Sequence, residues 1–132
     1  MSEENVELVH QAIDAFNRRD LDAFLALVDP HMEFTPYVVA MEGGYQGHDG
    51  VRRWWQELFE VFPDWHGEPM EVRDLGGLTL AALRLEGRGG ESGTPVEQML
   101  WQLAEWSTDG KMVRVGHYSS EAEALEAAGL TE

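Results

Sequence analysis

The chain is 132 residues long, 43% hydrophobic and free of cysteine, with 25 Asp+Glu against 9 Lys+Arg for a formal net charge of −16. A surface this acidic repels phosphate backbones and anionic lipid, so we expect no nucleic acid and no membrane as partner, and the missing thiols exclude disulfides, thiolate nucleophiles and cysteine zinc sites. No apolar run reaches the roughly 20 residues of a membrane span, and the acidic start MSEENVELVHQ lacks the pattern of a signal peptide; the expectation is one cytoplasmic domain over residues 1–132.

Val6, Val9, Ile13 and Phe16 recur at helical spacing, widened by Leu8, Ala12 and Ala15, and predict an amphipathic helix over Glu3–Asn17. Ser2 is placed to cap it, and Glu3 and Glu4 suit the positive end of its dipole. After Asn17-Arg18-Arg19, Asp20 caps a second helix, Leu21–Val28, which Asp29-Pro30 stops. Met32–Val39 alternates as a strand, with Pro36 marking an edge or a bend. Gly43, Gly44 and Gly47 make a loop around Tyr45. Asp49 caps a third helix, Gly50–Phe62, dense in Val51, Trp54, Trp55, Leu58, Phe59 and Phe62. Glu68–Leu75 and Leu78–Gly87 form a hairpin about Gly76-Gly77. The glycine-rich Gly87–Thr94 lacks the Lys-Ser/Thr ending of a phosphate loop and reads as a connection. Val96–Trp106 and Lys111–Ser119 form a second hairpin about Thr108-Asp109-Gly110, where Asp-Gly supplies positive φ. Ser120 caps a last short helix, with Glu123 as its capping-box partner, Leu125 and Leu130 docking it and Gly129 as its stop. Helices grouped ahead of consecutive hairpins indicate an α+β fold.

Side chains alternate across a strand. One face of Val96–Trp106 carries Val96, Gln98, Leu100, Gln102, Ala104 and Trp106; the other carries Glu97, Met99, Trp101, Leu103 and Glu105. Neither is polar throughout, so both are expected to be covered, one by the chain's own helices and the other by a partner molecule. In the return strand Val113, Val115, His117 and Ser119 share a face, opposite Met112, Arg114, Gly116 and Tyr118, and the register turns His117 toward Gln102. Imidazole moves protons near neutral pH, which makes His117 the candidate catalytic residue. Gln98 and Gln102 are amides on an apolar face and need partners, such as ligand oxygens or water. Glu33 and Glu97 are carboxylates within strands that burial would turn into bases; Glu33 is the tentative aid to His117, and Arg84 is a candidate ion-pair partner for one of the two. Trp54, Trp106 and Tyr37 suit the wall of a pocket for a flat apolar molecule. Trp101 and Met99 face away from it, toward an interface. The five histidines lack HxxxH spacing, so no metal site is expected.

The runs Phe16-Asn17-Arg18-Arg19-Asp20-Leu21-Asp22-Ala23-Phe24, Gly47-His48-Asp49-Gly50-Val51, Thr94-Pro95-Val96 and Asp109-Gly110-Lys111-Met112-Val113 with Tyr118 resemble, in order and spacing, the SnoaL-like branch of the NTF2-like superfamily. The resemblance implies a cone: a curved mixed or antiparallel sheet, three N-terminal helices closing its mouth and a short C-terminal helix. It also implies a homodimer through the convex face, here Met99 and Trp101. The superfamily includes ketosteroid isomerases, polyketide cyclases, epoxide hydrolases, dehydratases and non-enzymes, so the fold does not decide the function. The ketosteroid isomerase base aligns with Thr35 and its oxyanion donors with Ala12 and Gln102; all three are replaced, and that mechanism is not expected. The aspartate that epoxide hydrolases carry after the last-strand tyrosine is absent from Tyr118-Ser119-Ser120. Two readings compete. The first is a cofactor-independent protein binding a small apolar or polycyclic molecule among Gln98, Gln102, Trp106, Thr35, Tyr37 and Trp54. The second is an acid/base isomerase, cyclase, dehydratase or hydrolase using His117 with a buried carboxylate. A subunit that only assembles with other proteins is a third possibility.

Overall fold

The N-terminal apolar stripe folds into helix α1 (Ser2–Asn17), which buries Val9, Ala12, Ala15 and Phe16. It is part of a computed structural model that describes residues 2–35, 45–88 and 95–129; Pro36, Tyr37, Gly43, Gly44, Leu130 and most of the Gly87–Thr94 connection lie outside the described residues. Arg19 ends the helix in the left-handed region at φ 61°. Its guanidinium lies 3.8 Å from the centroid of the Phe59 ring and donates to the carbonyls of Phe16 and Pro63, tying the end of α1 to the following helices.

Helix α2 (Leu21–Leu25) starts under the Asp20 cap, whose carboxylate accepts from the Ala23 amide at 3.1 Å. It is shorter than the sequence predicts. Val28, Asp29 and Pro30 do not end a helix but open strand β1 (Val28–Thr35), because Val28 pairs with Met112 far along the chain and is buried there. Pro30, which has no N–H to give, falls where the register of that pairing shifts.

Strand β2 (Tyr45–Gln46) leads into α3 (Gly47–Val61), which begins three residues earlier than expected. Gln46 takes the cap position, and Asp49 sits inside the first turn, paired with Arg52 at 3.0 Å. Strands β3 (His66–Asp74), β4 (Leu78–Arg88), β5 (Pro95–Trp106) and β6 (Met112–Tyr118) follow, then helix α4 (Glu121–Ala127). The Ser120 hydroxyl caps α4 by accepting from the Glu123 amide, while the Glu123 carboxylate reaches back to Ser119 rather than to Ser120.

Among the described residues the strands form one sheet of order β2-β1-β6-β5-β4-β3, with β1 and β6 parallel and the other neighbours antiparallel. The β5 faces are those read from the alternation: Leu100, Ala104 and Trp106 are buried on the inner side, and Met99 is 39% exposed on the outer. β6 departs from strict alternation. Its register with β5 slips between Glu105 and Trp106, so Met112 joins Val115 and His117 on the inner face instead of following Arg114 outward.

The inner face, under α1, α2 and α3, holds the core. Five adjacent strands would span about 19 Å if flat, yet Met32 on β1 and Gly67 on β3 line one small hollow. The sheet therefore curls around it, as the resemblance implies. On the outer face α4 packs across β5 and β6. An ion pair from Arg73 to Glu121 anchors its start. Among the described residues no helix is long and apolar enough to cross a membrane.

Candidate functional site

Between the three helices and the inner face lies a hollow offering about 60 Å³ to the centres of water-sized molecules. That is room enough for water or a small molecule. Its helical wall comes from Ala12, Ile13 and Phe16 of α1, Phe24 of α2, and Trp54 and Leu58 of α3. The sheet adds Phe34, Leu83, Leu85, Leu100, Met112 and Val115. Trp54 stacks on Phe16 at 5.8 Å between centroids and meets Phe34 edge-on at 4.8 Å, so the aromatic wall is braced by its own members.

Apart from the indole N–H groups of Trp54 and Trp65, Gln102 and His117 are the polar side chains of the lining among the described residues. They are register partners on β5 and β6, which holds their Cβ atoms about 5 Å apart. Gln102 Nε2 lies 3.3 Å from His117 Nε2. An amide NH2 only donates, so in this arrangement Nε2 accepts and the ring proton sits on Nδ1. Phe34 meets the imidazole edge-on at 5.3 Å. The uncovered part of the ring faces the hollow, and burial among these walls pushes its pKa down to about 3. No lining carboxylate offsets this among the described residues. His117 is therefore neutral at physiological pH, a hydrogen-bonding group rather than a cationic acid.

The other candidates fall elsewhere. Phe34 points inward, which turns its neighbour Glu33 to the outer surface; the Glu33 side chain is 61% exposed and lies 3.7 Å from Arg114. The structure thus does not bring Glu33 to His117. Glu97 is also on the outer side, paired at 3.3 Å with Arg84, which binds Glu68 as well. Gln98 shares the inner side of β5 opposite Leu85 but is not part of the lining. Trp106 is buried beyond the hollow, its indole N–H donated to the Thr79 hydroxyl at 2.9 Å, and serves the core. Thr35 pairs with Gly116 through the backbone, and Tyr37 is outside the described residues. Trp54 does line the hollow. So does Ala12, facing the same space as Gln102. Among the described residues no three carboxylates or imidazoles gather into a metal-holding set.

Sequence reasoning missed one contact at the rim. The Asn17 side-chain amide clamps the Gly67 peptide from both sides, donating to its carbonyl at 2.8 Å and accepting from its N–H at 2.9 Å. Gly67 is itself part of the lining, on the outermost strand β3. Asn17 reads locally as a helix-ending residue, and nothing in the sequence signals a partner fifty positions away.

The SnoaL-like domain family matches residues 9–115. Solved structures with the same fold include an NTF2-like protein of unknown function from Burkholderia pseudomallei, with TM-score 0.79 and 19% identity over 93% of this chain and 95% of that one. A candidate SnoaL-like polyketide cyclase from Jannaschia sp. CCS1 has TM-score 0.78 and 19% identity over 100% and 95%. TerC, co-crystallized with polyporic acid, has TM-score 0.77 and 19% identity over 93% and 96%. At such identities the likeness concerns the fold alone. No curated protein matches the chain.

Proposed function

The chain belongs to the SnoaL-like domain family, and from that premise we propose that it is a cofactor-independent binding protein holding a small, largely apolar molecule in its hollow. Gln102 and His117 fix the polar atom of that molecule, and Trp54, Phe16 and Phe34 contact its rings or chains. The observation that carries this reading is the lining: apolar and aromatic on every wall, with a single polar pair on neighbouring strands. Pockets for small molecules have this composition, large apolar area plus a few placed hydrogen-bonding groups. TerC, with the same fold, was crystallized with a small molecule, polyporic acid.

The competing acid/base reading is less well supported. A base whose conjugate acid has a pKa of about 3 takes protons poorly at neutral pH. The carboxylate that would assist it, Glu33, is on the far side of the sheet, paired with Arg114.

The proposal includes a twin subunit on the outer face and a cytoplasmic location. Support for the twin is the apolar surface left on the outer side of β5, where Met99 is 39% exposed on the same face as Trp101.

The binding reading is tested by a thermal-shift screen with small apolar hydroxy- and keto-compounds. A true ligand at a hundred times its Kd adds about 2.7 kcal/mol to stability. It should do so in wild type, less in Gln102→Ala and His117→Ala, and not at all in Val115→Phe, where the new ring occupies the hollow. A screen in which no compound raises the wild-type Tm overturns it.

A further inference from the structure

The hollow also specifies what kind of molecule it takes. We infer, resting on the binding reading above, that the ligand is uncharged, no larger than one six-membered ring, and carries a hydroxyl or carbonyl oxygen docked on the Gln102–His117 pair.

Size comes first. The hollow's about 60 Å³ is less than half the volume of the engineered apolar cavity, about 150 Å³, that takes benzene. A single ring is therefore the upper limit, reached with slight relaxation of the walls, and fused ring systems exceed it. The polycyclic ligand considered from the sequence is therefore too large for the hollow as it stands, whose centre-space is about 60 Å³.

Charge comes second. None of the lining residues is a Lys, Arg, Asp or Glu among the described residues. Arg19 lies 5.9 Å from the Phe16 ring, but its guanidinium is engaged by the Phe59 ring and by the carbonyls of Phe16 and Pro63. A carboxylate in the hollow would lose its water without gaining a cation, and an ammonium without gaining an anion. The imidazole supplies no compensating charge, since apolar burial keeps it neutral.

Hydrogen-bonding capacity comes third. The Gln102 amide and a neutral imidazole together have three N–H donors and two acceptor atoms. One donor and one acceptor are used between them across 3.3 Å. In either orientation of the amide the pair keeps at least one donor and one acceptor, so it can serve a carbonyl or a hydroxyl. These polar atoms lie at a single place in the lining, on one register pair.

The test is a calorimetric and thermal-shift titration of the full-length protein at pH 7.5 with six probes: phenol, cyclohexanone, toluene, benzoate, benzylamine and 2-naphthol. Phenol and cyclohexanone should bind tightest, toluene about tenfold more weakly for the lost hydrogen bond, and benzoate, benzylamine and 2-naphthol more weakly than phenol by tenfold or more. In Gln102→Leu and, separately, His117→Leu the phenol advantage over toluene should shrink; the wild-type ranking stands as evidence even if a variant fails to fold. Benzoate or benzylamine matching phenol overturns the charge inference. 2-Naphthol surpassing phenol overturns the size inference, and toluene matching phenol overturns the docked oxygen. Each of those outcomes leaves the pocket as a binding site. No binding by any probe, toluene included, overturns the binding reading itself.

Discussion

Moving this protein from pH 7.5 to pH 5 should cost it stability through one imidazole. His117 has its pKa lowered from 6.5 to about 3 by burial alone. Between those values the unfolded chain carries a proton on this ring and the native protein does not. Protons therefore favour unfolding: the contribution of the neutral ring is fully present above pH 6.5 and is lost as pH falls toward 3. Each pH unit in that window shifts the balance by about 1.4 kcal/mol. At pH 5, about 1.5 units below the ordinary value, the loss is about 2 kcal/mol, and at pH 3 about 4 kcal/mol. His66 moves the opposite way, its pKa raised first by the Asp64 carbonyl and then by Glu86, and the acidic surface adds its own pH dependence. Both are removed by comparison with His117→Leu, which keeps them and lacks only the buried ring. The assay is urea denaturation of both proteins from pH 7.5 to 5. The stability difference between them should move by about 2 kcal/mol against wild type across that range. A difference that stays flat would mean that His117 protonates normally in the folded state, and the picture of a dry, uncharged corner would fail.

Two further outcomes follow from other contacts. Asn17→Ala removes both hydrogen bonds to the Gly67 peptide, at 2.8 and 2.9 Å, and should lower stability by about 1–3 kcal/mol in urea denaturation; an unchanged midpoint would show that the clamp holds nothing. If two copies pair through Met99 and Trp101, sedimentation velocity should find a dimer whose fraction falls in Trp101→Glu. That fraction should rise with salt, because screening weakens the repulsion between two chains of net charge −16. A wild-type monomer at all salt concentrations refutes the pairing.

The comparison of sequence with structure turns on particular residues. His117 beside Gln102 was legible because both sit in one hairpin, where a short Asp-Gly turn sets the register and a period of two sets the face. The outward turn of Met99 and Trp101 followed from the same rule. Glu33 was harder. Alternation sets it on the face opposite Met32 and Phe34, but its strand pairs in parallel with one about eighty positions away, and only that pairing decides which of the two faces meets His117. Val28–Pro30 carries the stop signals of a helix, yet sheet pairing claims it. Met112 was assigned outward because a bulge between distant partners is invisible to alternation.

Read alone, the chain determined what is local or periodic: the helices, the hairpins, the two faces of the long strands, the α+β class and the family likeness. The tertiary structure alone decided whether the apolar inner faces meet or stand apart. That depends on how far the sheet curls and how the helices lean on it, which are sums over many distant contacts. The result is a hollow of about 60 Å³ rather than a filled core. The same enclosure determines the charge state of His117, since its walls, contributed by separate elements, exclude the solvent that a charged ring would require.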